Sequence, residues 1–148
     1  MGGFEAPNYA AQLELGGAEM KVPRNPETIH EPLGAYSHQI EILGPQRMLA
    51  MAGQVGMRPD GSVPTDPIEQ LQVALDNVQS NLEAADMSRS DVFKMQLFVV
   101  GEMDAARRRA VLAEWFGAMK PCSTLVFVQA LASPNLRVEI DAWATAAA

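Results

Sequence analysis

Lys120 to Ala144 reads KPCSTLVFVQALASPNLRVEIDAWA, and its two apolar runs set the rest of the chain in order. Pro121 cannot extend a preceding helix. Ser123 to Gln129 is rich in β-branched and aromatic residues, the signature of a buried strand. Ala132, Ser133, Pro134 and Asn135 make a turn. A second run then alternates strictly, with Val138, Ile140, Ala142 and Ala144 on one face and Arg137, Glu139, Asp141 and Trp143 on the other. The first face is a core face. The second suits a groove or a subunit contact better than open water, although on composition alone Glu139 and Asp141 read as ordinary solvated carboxylates.

Upstream, residues 1–30 are punctuated by Gly2, Gly3, Pro7, Gly16, Gly17, Pro23 and Pro26 and hold no period, so they read as an irregular arm, with a short strand around Leu13 to Val22. Residues 31–146 form the domain. Tyr36 to Leu43 and Met48 to Val55 read as two strands joined as a hairpin through Gly44-Pro45-Gln46, and Pro59 to Ser62 as a tight turn. Thr65-Asp66-Pro67-Ile68-Glu69 is a helix start: Asp66 caps, Pro67 suits the first helical position, and Glu69 can reach back to the cap. Ile68, Leu71, Leu75, Val78, Leu82 and Ala85 recur every three or four residues, and Asp86 closes the helix without glycine. Val92 to Val100 is a strand ended by Gly101. Its faces are Met95, Leu97 and Val99 against Lys94, Gln96 and Phe98. A second helix runs from about Met103 to Phe116 with Val111, Leu112, Trp115 and Phe116 inward, and Arg107 to Arg109 form a solvated flank beside a subunit edge.

The expected order is thus β-β-α-β-α-β-β, an α/β (α+β) domain with a single sheet of about five to six strands and two helices on one face. Two helices leave the other face uncovered, and self-association is the economical way to close it. At 148 residues and 48% hydrophobic content the chain fits one globular domain. A formal net charge of −7 argues against nucleic acid as a partner. One cysteine, Cys122, fits a reducing cytoplasm, and strand alternation turns it away from Ser123. With only His30 and His38 in the chain, a zinc site lacks ligands. The absence of a long apolar run argues against a membrane span.

From about Glu27 to Ala144 the sequence resembles the RidA/YjgF family of reactive-intermediate deaminases, also called the endoribonuclease L-PSP family. The matching pieces are Gly34 to His38, Ala52 to Gly56, Gln70 through Ala74, Leu75, Asn77, Leu82, Ala84 and Ala85, then Asp91, Val92 and Lys94, Pro121 with Thr124, and Val138 to Ala142. Their order and spacing carry the resemblance. It implies a chorismate-mutase-like fold, a homotrimer with sheets facing the centre, and clefts at subunit interfaces. It also implies hydrolysis of imines and enamines derived from amino acids, without metal or organic cofactor.

Position by position, the resemblance makes Glu139 the water-handling glutamate, Tyr36 the pocket tyrosine and Gly53 the turn glycine. Leu125 supplies the backbone N–H two residues beyond the family's carboxylate-gripping arginine. That arginine is absent: Ser123 holds its place, and Ala52 replaces the serine that often precedes the turn glycine. Each charge-assisted contact is worth roughly 1.5–3 kcal/mol, so losing a bidentate pair weakens recognition of a 2-imino acid by about two to four powers of ten. His38 shares the face of Tyr36 and reads as an interface residue or a group at the cleft mouth. Arg137 shares the face of Glu139, where it either pairs with a carboxylate or supplies the missing positive charge. Three uses of such a cleft remain open: hydrolysis of an imine or enamine with no carboxylate in that place, metabolite binding without turnover, and action on RNA.

Overall fold

The computed structural model describes residues 20–148, with side chains from Lys21 onward. The predicted strand at Leu13 to Val22 lies largely outside these residues. Its last part falls in strand β1, Met20–Arg24, which pairs antiparallel with β2, Gln39–Leu43. The remaining strands are β3 (Gln46–Ala50), β4 (Gln54–Val55), β5 (Val92–Val100), β6 (Cys122–Val128) and β7 (Val138–Ala147). They form a five-stranded sheet in the order β3-β7-β5-β6, with β4 also on β7. The two helices among the described residues are α1, Pro67–Ala84, and α2, Ala105–Phe116. β5 and β6 run parallel, which requires a crossover, and α2 provides it.

The expected hairpin is not formed. Both segments are extended, but β2 takes β1 as its partner while β3 pairs with β7. Gly44, at φ +79, turns the chain between two sheets. Local pattern finds a turn between two strands, yet it cannot say whether the strands pair with each other.

Helix α1 begins as its sequence dictates, with the Asp66 carboxylate accepting from the Ile68 N–H at 3.0 Å and Pro67 following. Glu69 pairs with Arg58 on the preceding turn instead of reaching back. At the far end Asp86 adopts φ 53, the Asp86 N–H donates to the Glu83 carbonyl, and the Met87 N–H donates to Leu82. This is a Schellman closure, with buried Met87 and Leu82 as its apolar pair. Helix α2 starts at Asp104, whose carboxylate accepts from the Ala106 and Arg107 N–H groups at 2.9 and 2.8 Å.

The core lies between the helices and one face of the sheet. Val138, Ile140, Ala142 and Ala144 of β7 are all 0% exposed, facing the α1 stripe of Leu71, Leu75, Val78 and Leu82. Each fully buried aliphatic side chain contributes roughly 1.5–3 kcal/mol. One polar residue sits inside this layer. The Gln70 amide donates to the Pro64 and Asn135 carbonyls and accepts from the Arg137 N–H at 2.7 Å, tying α1 to the entry of β7. Gly56 packs on its backbone, where a Cβ would fall 2.6 Å from the Gln70 carbonyl oxygen.

Candidate functional site

The face of the sheet away from the helices is built from residues out of phase with the core. Register places Phe98 and Val55 on either side of Glu139, Gln96 opposite Asp141, and Lys94 and Ala50 opposite Trp143. Glu139, Asp141 and Trp143 are half-buried, so the carboxylates of β7 are neither core nor fully solvated.

Gly53 comes against Glu139. A Cβ at Gly53 would lie 1.9 Å from Oε1 and 2.7 Å from the carboxyl carbon, so the backbone of the turn before β4 touches the acid directly. Position 53 therefore accepts no side chain without moving the carboxylate. Asn77 holds this turn from below, donating to the Val55 and Met57 carbonyls at 3.0 Å each. Ala52 is exposed at the same turn, and its carbonyl accepts from the Gln54 amide at 2.8 Å. Of the residues singled out from sequence, Glu139, Gly53 and Ala52 thus share one place.

Others lie elsewhere in the chain. Ser123 pairs with Met95 and Leu125 with Leu97, and those two β5 residues are buried on the helix side. Alternation therefore turns Ser123 and Leu125 away from the Glu139 face of their own chain. Cys122, out of phase with them, pairs with Lys94 on the open face. Burial pushes its thiol upward, opposed by the Lys94 charge and by the Ile40 N–H. Tyr36 stays with its own loop: its hydroxyl accepts from the Leu33 N–H at 3.2 Å, and its ring meets His38 edge-on at 5.5 Å. His38 also stands edge-on to His30 at 5.0 Å, and its Nε2 lies 2.7 Å from the His30 carbonyl oxygen. Arg137 makes a structural contact, with Nε donating to the Val100 carbonyl at 2.9 Å and the guanidinium lying over Gly101. The carboxylate partner considered from sequence is replaced by that carbonyl.

Sequence alternation groups Phe98 and Gln96 on one face with Lys94, but only register reveals that they flank the acids of β7. Three clefts of about 330, 380 and 430 Å³ open between described residues, and Glu139 lines none of them. Among the described residues no cluster of three or more His, Cys, Asp or Glu could hold a metal ion, and no helix is long and apolar enough to cross a membrane. The described residues thus present a carboxylate against a tight backbone turn on the sheet face away from the helices.

A mixed sheet with two helices packed on one face and Glu139 on the other defines the class, an α+β protein. The chain belongs to the RidA/YjgF family: residues 28–146 match the family described as Endoribonuclease L-PSP. It is 34% identical to a RutC family protein of Pyrococcus horikoshii over 78% of this chain and 90% of that one. It is 30% identical to the 2-iminobutanoate/2-iminopropanoate deaminase of Escherichia coli K12, over 74% and 86% of the two chains. Among solved structures, a protein of the conserved Rid family from Yersinia pestis superposes with a TM-score of 0.74 at 33% identity, covering 84% of this chain and 97% of the other.

Proposed function

We propose that copies of this chain associate as a homotrimer through the open sheet face, and that the groove enclosed between two copies hydrolyses a small reactive imine or enamine in the cytoplasm. The observation that carries this reading is half-buried Glu139 pressed against the Gly53 backbone on the sheet face away from the helices. A carboxylate so placed can take a proton from water as the water oxygen adds to the C=N carbon. Nitrogen takes that proton to give the carbinolamine, whose hydroxyl proton follows to nitrogen as the C–N bond breaks, so ammonia departs and a carbonyl product remains; an enamine first tautomerises to the imine. No metal or organic cofactor enters these steps. Tyr36 completes the groove, and Ser123 and the Leu125 N–H are brought to it by the edge of β6 in a second copy, the outermost strand of its sheet. Serine is a neutral donor and holds a carboxylate less firmly than a guanidinium, so the favoured substrate carries no carboxylate at that point.

The test is ammonia release from freshly generated imines. Wild-type protein is expected to accelerate at least one of a panel, and Glu139→Gln to reduce that rate by about 10²–10⁴-fold. Ser123→Arg is expected to shift preference toward 2-imino acids. An unchanged rate in Glu139→Gln would sink the assignment of the base. The absence of the arginine supports a second reading, a trimer that binds its metabolite without turnover. That reading requires no acceleration of any imine together with a ligand found by thermal shift.

A further inference from the structure

The largest of the three clefts lies away from Glu139, beneath the β1–β2 ribbon, and has a volume of about 430 Å³. Its walls come from β1, the start of β2, the entry of β5 and the connection from α2 into β6. The ribbon is fastened over it by Lys21, whose Nζ donates to the Ser90 carbonyl at 2.6 Å and stands 3.9 Å from the Asp91 carboxylate.

The lining departs from the charge of the whole chain. The protein has 18 acidic residues against 11 basic ones, yet among the described residues Lys21, Arg24 and Lys120 line this cleft and no carboxylate does. Arg24 is paired with Glu41 at 2.5 Å and Lys21 with Asp91, so each of these two charges is met from outside the lining. Lys120 has no ion pair among the described residues. Polar side chains stand among the cations: Ser37, 5% exposed, Asn25 and Ser90. Beneath them the floor is apolar, with Val92 at 4% exposure and buried Pro121. Three cations and three polar side chains beside buried Val92 and Pro121 match one ligand chemistry, an anionic head on a hydrocarbon or aromatic body.

We propose that the cleft under the β1–β2 ribbon is a second binding site, for a small amphipathic organic anion bearing a phosphate or carboxylate head. The site is separate from the groove at Glu139. Register runs from Val92 at this cleft to Phe98 beside Glu139, six residues along β5, or roughly 20 Å at about 3.3 Å per residue. Occupancy bridges the ribbon to the body of the domain, so the ligand holds the ribbon down as well as neutralising Lys120.

The experiment is titration of the full chain with phenyl phosphate, benzoate, inorganic phosphate and benzyl alcohol, followed by calorimetry and by amide shifts in residues 21–25, 37–40, 90–92 and 118–121. Saturable binding of phenyl phosphate or benzoate is expected, weakening as salt rises, with inorganic phosphate weaker and benzyl alcohol absent. Comparing the first two probes distinguishes a phosphate from a carboxylate head. Lys120→Glu, at an exposed position, is expected to weaken binding at least tenfold without changing the melting curve, whereas Glu139→Gln leaves it intact. Three outcomes would overturn the proposal: no saturable binding of either aromatic anion, equal binding by benzyl alcohol, or binding lost in Glu139→Gln and kept in Lys120→Glu. Because the Glu139 variant serves as the control, failure here leaves the hydrolytic reading untouched, and the reverse also holds.

Discussion

Gly53 and Glu139 form a unit in which a hydrogen atom takes the place of a side chain so that a carboxylate can rest on backbone. Gly53→Ala would put a methyl group 1.9 Å from Oε1, and the flexible carboxylate is what must yield. We expect hydrolysis or ligand binding to fall at least tenfold while stability drops by about 1–3 kcal/mol, measured as ammonia release and urea midpoint on one preparation. A variant with full activity would show that the acid's position is irrelevant. Resemblance alone marked Gly53, and the structure adds the steric reason. Ser123 illustrates the opposite limit. Alternation shows from sequence that Cys122 and Ser123 face apart, but which of them shares a face with Glu139 depends on pairing with Lys94 or Met95, a tertiary fact.

At the scale of elements, the periodic segments were legible because burial enforces their period. β5 spans Val92–Val100 as read, the β7 faces fall as alternation sorts them, and α1 starts at its Asp66 cap and turns left-handed at Asp86. The β2 and β3 pairing was not legible, since the partners of both strands lie outside the turn that joins them. Nor was the role of Gln70, a glutamine in an apolar stripe whose backbone partners are Pro64 just before α1 and the distant Asn135 and Arg137 before β7. Gln70→Leu would leave those groups without their partner, and the expected cost is about 3 kcal/mol by urea denaturation. A loss under 1 kcal/mol would mean that the amide is replaceable by water.

The helix caps also set an acid limit. The Arg107 guanidinium and the Ile68 N–H hold the Asp66 carboxyl below the 3.8 of an unperturbed aspartate. The Arg107 N–H does the same for Asp104, and the Ser62 hydroxyl and N–H for Asp60. A folded pKa below the unfolded one gives stability that is present above about pH 4 and lost as pH falls through the depressed values. The melting temperature should therefore decline below about pH 4, and Asp66→Asn should flatten part of that decline. An identical acid limb in the variant would remove Asp66 from the account.

On the scale of the whole molecule, the proposed trimer would use the sheet face away from the helices and the edge of β6, which is outermost among the described strands. Val126 is 40% exposed and Met48 65% exposed, large apolar side chains set among the half-buried Phe98 and Trp143. If the trimer forms through this surface, sedimentation should give three times the 16.0 kDa chain mass. Val126→Glu should then yield monomers that retain the fold but lose hydrolysis, although Val126 belongs to a different strand from Glu139. Monomeric wild-type protein with full activity would refute the shared groove.

The placement of β7 has a consequence for biosynthesis. This strand, the last of the described strands in chain order, is the central seam, so β3, β4 and the β5–β6 pair stay unjoined until it is made. At roughly 5–20 residues per second, the ribosome needs a few seconds between finishing Val100 and finishing Ala147. During that interval the nascent chain carries its apolar strands with their ladder half built. Translation speed between Val100 and Ala147, and chaperones that hold the strands made before β7, should therefore govern the yield of native protein.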